Sequence, residues 1–347
     1  MIILGIESSC DDTSIALLEV KDSQLHMLAE KTASQIDIHK IHGGVIPEIA
    51  GRAHAEHILP VIEEVLKDQP TPDAIAVTAG PGLVTALLVG VEAAKSLSYL
   101  LNIPLIRINH MEGHIYSPLL PEQGTDGELK DIAFPALCLT VSGGHSAITL
   151  MHKHGEYERI GATRDDAAGE TFDKIAKMVG FEYPGGPKIS KAAKTGNPKA
   201  IDFPRPMILK DTCDFSFAGL KTAALYWLRD NTFEETTITR EDFCASIEAA
   251  IVDSLLIKTM RAAKKHQPKT IILAGGVSAN PTLRTQLEER IAKILPHTTF
   301  LKPQKGYSMD NAAMIALAGY YHAKEKDFTT PKELFADPQW YLTDNSN

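Results

Sequence analysis

The sequence predicts a mixed α/β chain of two lobes with related topology, and three observations predict it. With 347 residues the chain exceeds a typical single domain and can bury a large core. Two strand, polar turn, strand units, over residues 2–20 and 136–150, stand near the starts of two halves and point to an internal duplication. Two further segments, at 73–101 and from Thr270 to Pro281, run from an apolar strand through a glycine turn into a helix start.

Along the chain, Ile2–Ile6 and Ser14–Val20 read as strands around Glu7-Ser-Ser-Cys-Asp-Asp-Thr13. A polar turn of this kind can bind phosphate through backbone N–H groups or hold a cation through Asp11 and Asp12; a solvated hairpin is the plain alternative. A loop with His39, His42, Gly43 and Gly44 precedes Pro47, which suits the first position of a helix to about Lys67. His54 and His57 on that helix read as surface or core histidines. Asp73–Thr78 is a strand, Ala79-Gly-Pro-Gly-Leu83 a turn, and a helix follows to about Leu101. The turn and the Glu92 charge break the most apolar region, so it reads as strand, turn and helix rather than a membrane span.

Ile103–Ile108 is a buried strand ending at Asn109, a good helix N-cap, so His110 and His114 fall in the first turns of a helix. Four residues apart, the two imidazoles share one face, with Cβ atoms roughly 5–6 Å apart. That suits two ligands of one metal ion, with a third from elsewhere; an accident of spacing is the alternative. Glu112 points off that face, so the pattern is not that of a zinc protease, which needs Glu directly after the first His.

Pro121–Asp131 reads as an inter-lobe connection. Beyond it, strands at Ala136–Val141 and Ser146–Leu150 flank Ser142-Gly-Gly-His145, whose glycines let backbone N–H groups approach a phosphate. A helix runs to about Val179 and stops at Tyr183-Pro-Gly-Gly-Pro187; others begin within 214–222 and span Glu241 to about Lys265, with Phe243, Ile247, Ile251 and Leu255 on one stripe. The Gly275–Gly276 loop suits a nucleotide base or ribose, with Asn280 offering an amide. Asp310 stands where an N-cap or first-turn carboxylate of the last helix would.

Composition is that of a globular enzyme, 44% hydrophobic and 23% charged. The net charge of −9, with no concentrated basic patch in the sequence, gives no general attraction for nucleic acid. The N-terminus lacks a basic n-region and cleavage site, so no signal peptide is expected. Cys10, Cys138, Cys213 and Cys244 have no paired spacing, which fits a reducing cytoplasm and argues against a cysteine zinc site.

In this order, Gly-Ile-Glu-Ser-Ser-Cys10, His-Met-Glu-Gly-His114, Val-Ser-Gly-Gly-His145, Asp-Asp-Ala-Ala-Gly-Glu170, Phe-Asp-Lys174, Tyr-Pro-Gly-Gly-Pro187, Phe-Ser-Phe-Ala-Gly-Leu-Lys221, Gly-Gly-Val-Ser-Ala-Asn280 and Asp-Asn311 closely resemble the tRNA threonylcarbamoyladenosine transferase family, TsaD in bacteria. The resemblance implies the actin-like, Hsp70-like ATPase (ASKHA) fold with duplicated RNase H-like lobes: 1–133, completed by about 305–347, and 134–304, with a nucleotide in the cleft. It implies that His110, His114 and Asp310 bind one divalent metal, Fe(II) or zinc. The implied reaction is transfer of threonylcarbamoyl from threonylcarbamoyl-adenylate to N6 of the adenosine just 3′ of the anticodon, in tRNAs reading codons that begin with A.

By the same resemblance, Thr140, Val141, Ser142, Gly143 and Gly144 contact donor or nucleotide phosphates, and Asp173, Gly186 and Asn280 take the ribose or base side, of the adenylate or of ATP. Asp11 or Asp12 is the expected proton acceptor. Many relatives carry Asp-Glu at that point, one methylene longer than Asp11-Asp12, and some have an acid where Ser190 stands. The implied partners are tRNA, a TsaB-like paralogue and a TsaE-like ATPase, in the cytoplasm and away from membranes. A metalloprotease, a sugar or acetate kinase and a non-catalytic scaffold are the competing readings; the misplaced Glu112, the paired histidines and the intact glycine loops count against them in turn.

Overall fold

The computed structural model describes residues 1–343. In chain order the main elements are β1 (Ile2–Glu7), β2 (Asp12–Lys21), β3 (Gln24–Ser34), α1 (Ile36–Lys40), α2 (Pro47–Leu66), β4 (Ala74–Gly80), α3 (Val84–Leu101), β5 (Leu105–Asn109), α4 (His110–Tyr116) and β6 (Gly127–Glu128). They continue as β7 (Ala136–Val141), β8 (Ser146–Lys153), β9 (Glu156–Ala162), α5 (Ala168–Met178), α6 (Gly186–Ala193), α7 (Ala218–Asp230), α8 (Arg240–His266), β10 (Thr270–Ala274), α9 (Pro281–Ile294), β11 (Thr299–Leu301) and α10 (Ala312–Lys324). Two compact units result: Met1–Asp131 with His154–Glu156 and Pro303–Asn347, and Ile132–Lys153 with Tyr157–Lys302.

The first unit carries a sheet in the order β5-β4-β1-β2-β3-β6. β1, β2 and β3 are antiparallel neighbours, while β4 and β5 run parallel to β1. Leu4, Ile6, Leu17, Ile75 and Val77 of the sheet bury against Ile58, Val61 and Ile62 of α2 and Val91 of α3. A Cβ at Gly5 would run into the Ala312 carbonyl and Ala316, so glycine lets α10 lie directly on β1. β3 is an element the sequence reading passed over. Asp22 and Ser23 join it to β2 with φ of 49° and 61°, a left-handed pair suited to a tight hairpin but lacking the usual glycine.

The second unit repeats the arrangement in a sheet of order β11-β10-β7-β8-β9. β7 and β8 are antiparallel, and β10 and β11 run parallel to β7. Strand for strand this matches β5-β4-β1-β2-β3. The stripe Phe243, Ile247, Ile251 and Leu255 on α8 is fully buried, packed with Phe172 and Ile175 of α5 and Leu137, Leu139 and Ile271 of the sheet. Thr239 and Asp242 close a capping box at the start of α8.

α3 is long and apolar enough to cross a membrane by length and composition. Here it packs beside α2, with Ala86, Leu87, Val91 and Ala94 buried, and the turn after Gly80 separates it from β4. The four cysteines are free.

Candidate active site

Two groups of residues gather at the carboxyl ends of parallel strands, one in each unit, where α/β sheets generally present ligand sites. In the first unit β5 delivers Asn109, whose Oδ1 accepts from the Met111 amide at 2.9 Å and caps α4, while its Nδ2 donates to the Trp340 carbonyl at 3.0 Å. α4 then presents His110 and His114 on one face, ring centroids 4.6 Å apart and nearly perpendicular. Asp310 Oδ1 lies 3.5 Å from His110 Nε2 and 3.2 Å from His114 Nε2. One ligand atom from each residue lies within 4.8 Å of the others.

Asp310 is not the cap of α10. Asn311 takes that position, accepting from the Met314 amide at 2.8 Å, so the Asp310 carboxylate stands ahead of the helix and turns to the histidines. His114 is fully buried, and neither ring nitrogen has a hydrogen-bond partner. Buried polar atoms are nearly always satisfied, so an imidazole of this kind, beside a second imidazole and a carboxylate, fits a metal ion.

Behind His110 stands Glu7, the last residue of β1, with no exposed surface. Its Oε2 lies 3.0 Å from His110 Nδ1 and accepts from Thr78 Oγ1 at 2.7 Å; its Oε1 accepts from the Ser9 amide at 2.6 Å. Burial opposes charge on both partners. The opposite charge wins: Glu7 is held below the usual carboxylate range by His110, and His110 is pushed up to about 9 by Glu7 and Asp310. With Nδ1–H donated to Glu7, Nε2 is the nitrogen on the Asp310 side, whose proton a bound metal ion would displace. Glu7 was missed in the sequence, where its one signal is an acid ending an otherwise apolar strand.

Asp11 and Asp12 occupy the turn into β2. Burial, reinforced by neighbouring negative charges including Asp310, raises both; Asp12 reaches about 7, with its Oδ1 buried and unpartnered. His54, read as an ordinary histidine in the sequence, ties this turn down. Its Nε2 donates to the Cys10 carbonyl at 3.0 Å, leaving Nδ1 to accept from Thr13 Oγ1 at 2.7 Å. Glu112 is turned to α10, where its Oε2 accepts from His322 Nε2 at 2.9 Å.

In the second unit Thr140 and Val141 end β7, and Ser142–His145 form a tight turn with Gly143 and Gly144 exposed. α5 sits on this turn: the Gly169 and Glu170 amides donate to the Ser142 and Gly143 carbonyls at 3.2 Å each. The first turn of α5 is therefore satisfied by the loop. Gly275, at φ 83°, lies so close to Val141 that a Cβ would fall 2.5 Å from its carbonyl oxygen, which brings the two glycine loops side by side.

The polar side chains expected to meet the nucleotide hold loops in this structure. Asp173 Oδ1 accepts from the Gly185 and Gly186 amides at 2.7 and 3.2 Å. Asn280 caps α9 through Leu283 at 2.8 Å, and its Nδ2 donates to buried Glu248 at 2.6 Å, with Ser190 Oγ at 3.4 Å. Thr282 completes the grip on Glu248 at 2.8 Å.

Among solved structures, HypF from T. kodakarensis is similar over 96% of this chain, with a TM-score of 0.60 and 12% identity, the chain spanning about half (49%) of the HypF chain. A ROK family protein from Streptococcus pneumoniae matches with a TM-score of 0.51 and 15% identity over 94% of this chain and 100% of its own. These likenesses define the class: an actin-like, Hsp70-like ATPase fold with duplicated RNase H-like units, here carrying a cluster of two histidines and an aspartate. The family model for tRNA N6-adenosine threonylcarbamoyltransferase, TsaD, matches residues 26–317. Curated proteins of that name are 47% identical over 347 residues in Bacillus subtilis (strain 168), covering 99% of this chain and 96% of the relative, and 45% identical over 340 residues in Desulfitobacterium hafniense (strain Y51), covering 97% and 96%. The chain belongs to the tRNA N6-adenosine threonylcarbamoyltransferase family.

Proposed function

We propose that this chain, a tRNA-modifying transferase by family, moves threonylcarbamoyl from threonylcarbamoyl-adenylate to N6 of the adenosine just 3′ of the anticodon in tRNAs reading codons that begin with A. The observation that carries the reading is the convergence of His110, His114 and Asp310 in a chain of this family. Those three residues would hold one divalent cation; two imidazoles and a carboxylate suit Fe(II), with zinc as the alternative. Bound there, the cation would polarise the donor and neutralise the departing phosphate.

The chain's own residues supply the rest. Glu7 fixes the ring of His110. Asp12, with Asp11 beside it, accepts the proton that N6 loses; a carboxyl at about 7 is half ionised at neutral pH and able to do so. An exocyclic adenine amine is a weak nucleophile, so holding both reactants supplies much of the rate. Thr140, Val141, Ser142, Gly143 and Gly144 hold the adenylate phosphate through backbone, while Asp173, Gly186 and Asn280 shape the loops on its ribose or base side; ATP is the alternative occupant. A TsaB-like paralogue and a TsaE-like ATPase complete the assembly, which works in the cytoplasm without a membrane. Because Glu112 is engaged by His322, it is not the base of a protease.

The test is nucleoside analysis of unmodified tRNA incubated with the protein, its partner proteins, threonine, bicarbonate and ATP, beside an Asp310→Ala reaction. Threonylcarbamoyladenosine in the first and none in the second is the expected result. Accumulation of the adenylate with no modified nucleoside from the wild type overturns the assignment.

A further inference from the structure

The net charge of −9 hides a division. The second unit holds 23 Lys and Arg against 18 Asp and Glu, a net of +5, and the first holds 12 against 26, a net of −14. Within the second unit, the stretch from Lys174 to Ile201 contains six lysines and one acid, Glu182. α6 lies in the middle of it. Ile189 and Ala193 form its buried face, and on the opposite arc Lys188, Lys191 and Lys194 follow at steps of three, each about 4.5 Å further along the axis. Lys177 on α5 and Lys199 beyond α6 extend the row. Lys188 pairs with Glu182 at 3.2 Å, but Lys177, Lys191, Lys194 and Lys199 are exposed and, among the described residues, have no ion-pair partner.

We propose that this lysine row is the surface on which the second unit grips the phosphate backbone of the tRNA. The inference rests on the transferase reading above and adds where the RNA is held. A polyanion is bound chiefly by unpaired Lys and Arg side chains that replace its counterions, and an acidic protein needs a local patch of this kind. The root of α6 favours this row over the other cationic stretch of the unit, Lys264 and Lys265. Gly185 and Gly186 are held by Asp173, and Ser190 lies 3.4 Å from Asn280, so α6 springs from the end of the unit that bears the glycine loops. Lys264 and Lys265 lie in the last turn of α8, just before the start of β10 and so at the opposite end of that strand, and favourable interaction with the helix C-terminus already accounts for them.

The experiment is steady-state transfer with the complete set of partner proteins and an unmodified tRNA transcript, from low to high KCl. The variants are K177Q/K191Q/K194Q/K199Q, the same four positions changed to Arg, and K264Q/K265Q. The Gln variant should raise KM for tRNA at least tenfold with kcat changed less than twofold, and should reduce the salt slope of log KM by about 3. The Arg variant and K264Q/K265Q should match the wild type. Unchanged KM and slope in the Gln variant, or equal loss in the Arg variant, overturn the proposal. So does an unchanged tRNA dependence with a raised requirement for a partner protein, which would make the row a protein interface. If the wild type forms no modified nucleoside at all, the transferase reading fails first and this inference falls with it.

Discussion

The two units share a strand order and present different groups at the carboxyl ends of its strands. In the first, the carboxyl ends of β1, β4 and β5 present side chains: Glu7, Thr78 and His110 form one buried network, and Asp310 faces the histidines. In the second, the equivalent ends of β7 and β10 present backbone, and the polar side chains nearby, Asp173 and Asn280, are turned inward to hold glycine loops in place. The difference fits the ligands proposed for the two units. A small cation demands a few donor atoms at fixed positions, which buried and hydrogen-bonded side chains supply. A nucleotide phosphate is met well by N–H groups on a loop with no Cβ in the way.

The contrast is tested most severely at a proposed ligand. His114→Ala removes the imidazole whose nitrogens have no other partner, so it should abolish stoichiometric metal retention, read by elemental analysis, and lower turnover by about 10^3-fold or more. Retained metal in this variant would move the centre elsewhere. Glu7→Gln is the next largest. It keeps the shape but removes the charge behind His110, and should weaken metal affinity about 10- to 100-fold in competition against a chelator. An affinity unchanged by the substitution would make Glu7 a structural residue only.

On the other unit the expected effect is on folding. Asn280→Ala removes the cap of α9, worth about 1 kcal/mol, and leaves Thr282 as the remaining donor to Glu248 among the described residues, so thermal unfolding should shift down by a few degrees with modest change in kcat. A hundredfold fall in kcat with unchanged stability would show that the Asn280 amide meets the ligand after all, and the distinction between side-chain and backbone sites would fail.

What was legible in the sequence divides along the same line. Asn109 and the pair His110 and His114 were readable because cap and spacing are local, set by the periodicity of one helix. Asp310 entered only through family resemblance, since nothing local marks a residue nearly 200 positions away as a partner. Locally it looked like a cap, and Asn311, a better one, stood next to it. Glu7 could not be read, because its contact with His110 depends on the parallel register of β1, β4 and β5. The expectation of no concentrated basic patch fails at residues 174–201, where six lysines stand in one run; what the fold adds is that α6 buries Ile189 and Ala193 and leaves Lys191 and Lys194 exposed.

The smallest effect concerns the back of α4. His322 is enclosed by Glu112 at 2.9 Å and Asp327 at 2.8 Å, so both ring nitrogens donate and the imidazolium is favoured. Burial disfavours the charge, but the two carboxylates outweigh it and push His322 up to about 10, against about 6.5 in an unfolded chain. The folded state therefore holds a proton that the unfolded state releases first. The stabilisation is full below about pH 6.5 and is lost as pH rises through about 10. In the presence of EDTA, the urea midpoint of the wild type should fall more steeply between pH 6.5 and 10 than that of His322→Gln, which has no proton to lose. Parallel curves would mean that α4 is anchored by its cap and its packing alone, and that the ion pair behind it adds nothing to the rigidity of the face bearing His110 and His114.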